Sequence, residues 1–415
     1  MSKVIVAGGG VIGLCSAYYL AKAGHEVTVI ERGQITDGTS FGNAGYISPS
    51  HFVPLASPGM IAKGLQWMLS SSSPFYIKPR LNLDLIRWGL TFWKQSTQQT
   101  VDKNIPYLNA ILHLSRELQS DMKSELGNTF RMEEIGCFML YKTVEVEKHE
   151  LELAKEAEHL KIETRIMTGQ QVQDMEPEVK VDVRGGILYP IDAHLHPGEL
   201  MHTLHKALLK MGAKMQLGTT ITGLEKSGQK VTAVVTDKGM FKGDEIVIAT
   251  GSWLPQVTRD LGIHIILQAG KGYSMTFENM QRNLRYPAIL VDKRVAMTPM
   301  GRDLRMGGTM EISGLGSPTL VKRAHAIFDA AKLYYPDLEV TFPSVDKIWH
   351  GYRPLSPDGL PYIGRHSAYK NLTIAGGHAM LGLSLAAGTG KLVEEIVGHR
   401  ETSIEVGGFR VERFD

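Results

Sequence analysis

The chain has 415 residues, 43% hydrophobic and 21% charged, with a net charge of +2. Those proportions exclude a disordered chain, and the absence of a Lys/Arg stripe interleaved with aromatics leaves no basis for nucleic acid as a partner. Two cysteines, Cys15 and Cys137, rule out a disulfide framework and show no metal-ligand spacing, so a reducing, cytoplasmic setting with no metal site is expected.

Lys3 to Ala7 reads as a buried strand rather than a signal-peptide core, because three glycines follow it directly. Next come Gly8-x-Gly10-x-x-Gly13, a helical pattern opened by Val11 and Ile12, then Gly24 and a second strand, Val27 to Ile30. Strand, glycine fingerprint, helix and strand in that order form the context of a dinucleotide site. Gly8 allows the tight turn, Gly10 lets backbone N–H groups approach a pyrophosphate, and Gly13 lets the helix pack on the sheet. Glu31 ends the second strand, where a carboxylate bonds ribose hydroxyls and repels a 2′-phosphate, which disfavours NADP. Arg32 beside it reads either as part of that pocket or as a solvated charge.

The stretch from Pro54 to Trp93 carries apolar residues at helical spacing (Met60, Ile61, Leu65, Trp67, Met68, Leu69, then Leu85 to Trp93), compatible with packing on the protein body or lying on a membrane surface. Ser70 to Ser73 reads as a loop. No run of 18 apolar residues predicts a transmembrane helix. A second strand-to-glycine junction lies at Ala249-Thr250-Gly251 with Trp253 after it. A third lies at Gly376-Gly-His378-Ala-Met380-Leu381-Gly382, followed by a helix over Leu383 to Val397 that includes Ser384. Three junctions spread along the chain suit a flavin better than a nicotinamide. Between the last two, strands are expected at Tyr273 to Phe277, Ala288 to Val291 and Leu304 to Gly308, and a helix from Val321 to Leu333. Near the end, GYRPLSPDGLPYIGR brackets Arg353 with proline and glycine, which predicts an ordered loop that stiffens a guanidinium.

The fingerprint, Thr39-Ser40-Phe-Gly-Asn43-Ala44-Gly45-Tyr46, Ala249-Thr-Gly251, Lys271-Gly-Tyr273, Gly307-Gly-Thr-Met-Glu311, the arginine loop and GGHAMLG together resemble the FAD-dependent D-amino acid oxidase superfamily. The pattern is most similar to bacterial D-amino acid dehydrogenases, over nearly the whole chain. The resemblance implies an α/β architecture: a GR2-type, Rossmann-like FAD domain (1–51, 140–262 and 345–415) with a substrate domain inserted in two pieces (52–139 and 263–344), the latter a mixed or antiparallel sheet with helices. It implies non-covalent FAD, since neither cysteine lies at the C-terminal loop and Thr39 to Tyr46 holds no histidine. The implied FAD contacts add Ile221 and Leu383 to the residues above.

The resemblance also implies that Arg353 clamps a substrate carboxylate through its planar two-donor fork. Tyr273, Tyr352, His378, Lys271 and His51 are the other residues expected around the substrate. The implied reaction is hydride transfer from the α-carbon of a D-amino acid, D-proline or hydroxy-D-proline among the candidates, to flavin N5, then hydrolysis of the imine to a 2-oxo acid and ammonia. Alignment and a neutral amine suffice for it, without an obligatory general base. The expected electron acceptor is a quinone or another carrier rather than oxygen, with peripheral contact to the inner face of the membrane as one setting. A glycine/sarcosine-type oxidase using oxygen and a non-catalytic flavin-binding module are the alternatives.

Overall fold

The structure, a computed structural model, describes residues 1–58 and 75–415. The serine run and Met60 to Leu69 lie outside the described residues. Two sheets dominate. The first has six strands in the order Tyr362–Arg365, Leu372–Gly376, Glu245–Ile248, Lys3–Ala7, Glu26–Ile30, Lys214–Gln216, parallel except for the antiparallel pairing of the first two. Strand alternation gives this sheet two buried faces. Val4, Val6, Val27 and Val29 face a helical layer, whereas Ile5, Ala7 and Ile30 face an antiparallel meander of Ile221–Ser227, Lys230–Thr236 and Gly239–Phe241. In the helical layer the fingerprint helix Val11–Lys22 crosses Ala386–Val397 so closely that a Cβ on Gly390 would lie 2.6 Å from the Cys15 carbonyl carbon.

The second sheet joins nine strands of the described residues. Along its main path run Trp349–Leu355, Gln268–Phe277, Asp303–Ile312, Val295–Met300, Ala288–Leu290, Cys137–Tyr141, Gly185–Tyr189 and Arg165–Thr168, while Phe75–Ile77 pairs with Asp303–Ile312. Helix Val321–Tyr334 covers one face, burying Ala324, Ile327 and Ala331 against Met275, Met297 and Met306. The strands and helix expected between residues 273 and 333 are present: Gln268–Phe277 and Asp303–Ile312 run longer than expected, Val321–Tyr334 by one residue, and Ala288–Leu290 is one residue shorter.

Two expected assignments to the units and one expected loop differ from the structure. Residues from 140 were assigned to the nucleotide unit, yet Cys137–Tyr141, Arg165–Thr168 and Gly185–Tyr189 pair within the large sheet, through the parallel ladder of Phe138, Met139 and Leu140 with Ala288, Ile289 and Leu290. Helix Gln98–Glu125, assigned to the substrate unit, buries Leu108, Ile111, Leu112 and Met122 in the core of the six-stranded sheet's helices. The arginine segment is not a loop: Trp349–Leu355 is the edge strand of the large sheet. Pro354 is tolerated there because an edge strand has a free side.

Candidate functional site

The parallel strands Lys3–Ala7, Glu245–Ile248 and Leu372–Gly376 end side by side, and a cleft of about 450 Å³ opens at their C-terminal ends, the usual ligand position in an open α/β sheet. Gly8 adopts φ +111°, and a Cβ there would lie 2.4 Å from the Ala249 carbonyl oxygen. A Cβ on Gly13 would sit 1.9 Å from the Gly8 carbonyl oxygen, so helix Val11–Lys22 starts directly against the turn. No acidic side chain occupies its first turn, which leaves the positive helix end for an anion. Glu31 is oriented by two backbone donors: Oε2 accepts from Gly9 N–H (2.7 Å) and Oε1 from Gly33 N–H (3.0 Å). Ser40 Oγ accepts from Val11 N–H at 3.0 Å. Arg32 is not simply solvated, since its guanidinium lies 3.6 Å above the Trp253 ring.

Trp253 meets Tyr352 edge to face at 5.9 Å, linking the nucleotide end of the cleft to the large sheet. Tyr352 is tied at both backbone groups: its N–H donates to Thr39 Oγ1 (3.1 Å) and its carbonyl accepts from Ser252 Oγ (3.0 Å). Arg353 follows. In the antiparallel register it pairs with Gly270, and its guanidinium lies where a Cβ on Gly272 would come within 2.1 Å of Nη1. Nη1 donates to the Thr309 carbonyl at 2.7 Å. That carbonyl is aimed by a β-bulge: Lys271 pairs with Glu311 and Tyr273 with Gly308, so two residues oppose Gly272, and Thr309 takes φ +60°. Among the described residues no carboxylate pairs with Arg353, and burial pushes its pKa down to about 10. His378 completes this end. Its Nε2 lies 2.9 Å from Thr389 Oγ1, and burial pushes it down to about 3, so it is neutral.

Of the residues singled out from sequence, Gly8, Gly10, Val11, Ile12, Glu31, Arg32, Ser40, Asn43, Ile221, Ala249, Thr250, Gly251, Trp253, Tyr352, Arg353, Gly376, His378, Met380, Gly382 and Leu383 line one cleft. Several others do not. Lys271 and Tyr273 alternate with Gly270 and Gly272, so they point to the sheet face opposite Arg353. There Lys271 Nζ donates to the Ser317 and Pro318 carbonyls, and Tyr273 donates to Glu311 Oε2, all at 2.7 Å. The Tyr46 hydroxyl turns to the Ala288 and Met297 carbonyls in the large sheet. Ser384 Oγ is used by the Tyr46 carbonyl and Ser48 N–H. His51 contacts Ser50, which donates to buried Asp192. Gly13, Ala44, Gly45 and Leu381 are not part of the lining either.

Sequence reasoning missed Gly33, Asp37, Thr39, Thr219, Ser252, Gln256 and Asp260 in the lining. Thr39 opens a motif already read and Ser252 flanks another, and that placement was the available signal; Thr219 and Asp260 carry none. Among the described residues there is no group of three metal-capable side chains, and no helix is long and apolar enough to cross a membrane. The cleft suits a flavin dinucleotide. The turn leaves no room for side chains over the helix end, and Thr250 Oγ1, on the lining residue after Ala249, is buried without a hydrogen-bond partner.

A family model described as FAD dependent oxidoreductase (DAO) matches residues 3–396. A D-amino acid dehydrogenase of Rhizorhabdus wittichii is 31% identical, with 99% of this chain and 100% of that protein covered. One of Neisseria meningitidis is 30% identical, with 99% of each covered. Among solved structures, glycine oxidase from Geobacillus kaustophilus superposes with a TM-score of 0.79 at 22% identity over 100% of both chains. L-proline dehydrogenase from P. horikoshii gives 0.78 at 20% identity, covering 100% of this chain and 97% of that one.

Proposed function

The chain belongs to the DAO family of FAD-dependent oxidoreductases, and we propose that it oxidises D-amino acids to imino acids, which water hydrolyses to 2-oxo acids and ammonia. The observation that carries this reading is Arg353: a half-buried cation with no carboxylate partner among the described residues, fixed by one carbonyl, on the wall of a cleft that suits a dinucleotide. An unpaired buried charge is costly unless a ligand supplies the opposite one, and a carboxylate matches the guanidinium fork. FAD, when bound, supplies the hydride acceptor.

The six-stranded sheet with its helices forms the FAD-binding unit in this reading, and the nine-stranded sheet forms the substrate-binding unit. Gly8, Gly10 and the helix end hold the pyrophosphate, Glu31 takes the ribose, and Arg32 with Trp253 walls the adenosine. Arg353 orients the carboxylate and thereby the α-carbon. His378, held neutral, adds no positive charge that would compete with the clamp for the carboxylate or repel the substrate's ammonium form. FAD is held without a covalent bond: Cys15 and Cys137 are buried in separate cores, away from the cleft. Acid precipitation should therefore leave the flavin in the supernatant.

The acceptor is a quinone or similar carrier, reached from a cytoplasmic position on the membrane surface. Leu83, Ile86, Leu90 and Trp93 recur at helical spacing and are exposed on helix Leu83–Gln95, with Arg87 and Lys94 beside them. Co-sedimentation with anionic vesicles is the expected result, and its absence would remove the membrane from this account. The deciding experiment is an anaerobic absorption spectrum titrated with paired D- and L-amino acids, glycine and sarcosine. Bleaching of the flavin band by D-amino acids is expected. Bleaching by glycine or sarcosine alone would transfer the assignment to a glycine/sarcosine-type oxidase.

A further inference from the structure

Met380, which the resemblance counts among the flavin contacts, lines the cleft without a hydrogen bond or charge of its own to give. It is 47% exposed, one of the few large apolar side chains left to solvent, and it lines the same cleft as Arg353. Its position follows from the backbone. Leu355, the last residue of the edge strand, forms an isolated antiparallel bridge with His378. In an antiparallel pair the residues after one partner run beside those before the other, so the turn Ala379–Leu381 is brought alongside Arg353. The turn is strained as well as placed, because Ala379 adopts φ +47°.

The charges around this end are unequal. Arg353 is cationic and His378 is neutral, while Pro354, Ala379 and Met380 are apolar. The carboxylates that line the cleft belong to its other end: Glu31 holds Gly9 and Gly33, Asp37 holds Gln34 N–H, and Asp260 lies against Gly223. Among the described residues, nothing at the Arg353 end offers a partner for a second positive charge.

We propose that Met380 is the residue that selects the substrate side chain, and that the enzyme takes neutral, apolar D-amino acids and rejects D-lysine and D-arginine. This rests on the reading of the cleft as a D-amino acid site. With the carboxylate on Arg353, the side chain is left to lie against the thioether and the Pro354–Ala379 surface. A flexible, polarizable methionine adapts to side chains of different shape, so discrimination among apolar substrates is shallow. Discrimination against an ammonium is steep, since it would be brought towards a fixed guanidinium with no carboxylate at this end to offset the repulsion.

The test compares kcat/KM for D-methionine, D-alanine and D-lysine in the FAD-loaded wild type, Met380→Glu and Met380→Ala, with bound FAD quantified for each. The wild type should prefer D-methionine to D-lysine by at least about 100-fold. Met380→Glu should raise the D-lysine to D-methionine ratio at least tenfold with FAD content unchanged. Met380→Ala, which serves alone if the glutamate variant does not fold, should lose several-fold more on D-methionine than on D-alanine. Ratios that stay within twofold in both variants overturn the proposal, as does a loss of FAD that accounts for the whole effect. In either case wild-type turnover of D-amino acids leaves the parent reading standing. A wild type inert to every D-amino acid removes both.

Discussion

The guanidinium of Arg353 is half-buried in the cleft wall, and that burial lowers its pKa to about 10. It stays protonated at neutral pH, with a cost to folding on the order of 3 kcal/mol. Because the folded value lies below the unfolded one, that cost is present in full below about pH 10 and fades as pH climbs above it. Arg353→Met should therefore leave the melting temperature at pH 7 unchanged or higher and retain FAD, while kcat/KM towards D-amino acids drops by at least about 100-fold. A variant that melts lower and turns over normally would show that the arginine serves the fold. In the wild type, kcat/KM reports the free enzyme, so its profile should decline above about pH 10 as the clamp loses its proton. At this scale the sequence was readable for Arg353, whose bracketing residues announce a fixed guanidinium. For Lys271 and Tyr273 it misled, since one motif contains residues for both faces of a strand. Gly272, which makes space for the guanidinium, and Gly270, which pairs with Arg353, carried the parity that would have assigned them.

Among the elements, the turn from strand Lys3–Ala7 into helix Val11–Lys22 tolerates least change. Gly13→Ala would drive a methyl into the Gly8 carbonyl oxygen, 1.9 Å away, and push the helix end off the turn. Purified Gly13→Ala should carry less than a tenth of the wild-type flavin per chain, as read from the ratio of visible to ultraviolet absorbance; full loading would remove the fingerprint from the site. This element was fully legible because strand, turn and helix are contiguous and each junction is set by local backbone geometry. The edge strand Trp349–Leu355 was not legible. Its prolines and glycines read as a loop, and only the long-range ladder with Gln268–Phe277 makes it a strand.

For the whole molecule, stability should depend on pH through buried carboxylates. Asp192 is fully buried, accepts from Ser50 N–H and Oγ, and is pushed up to about 7 by burial; Glu150 and Glu176 are raised to about 7 for the same first reason. A carboxyl whose folded pKa exceeds its unfolded one favours the fold when protonated, so stability falls as pH rises from about 4 to about 7 and then levels off. Melting should come a few degrees lower at pH 8 than at pH 5, and Asp192→Asn should shrink that difference; an unchanged slope would place the titration elsewhere. The division into units was the least legible level, because nothing local in 137–189 tells that its strands will pair beside Ala288–Leu290 rather than beside Lys3–Ala7. The six-stranded sheet draws its neighbouring strands from residues 3–30, 214–248 and 362–376. On the ribosome this means that the fingerprint waits: Lys3–Ala7 lacks its Glu245–Ile248 neighbour until the chain has grown through that strand, and Gly390 meets Cys15 only later still. At a translation rate of roughly 10 residues per second that is an interval of tens of seconds. Throughout it the nascent chain holds an apolar strand with one open edge, which makes this the stretch a chaperone would be expected to cover.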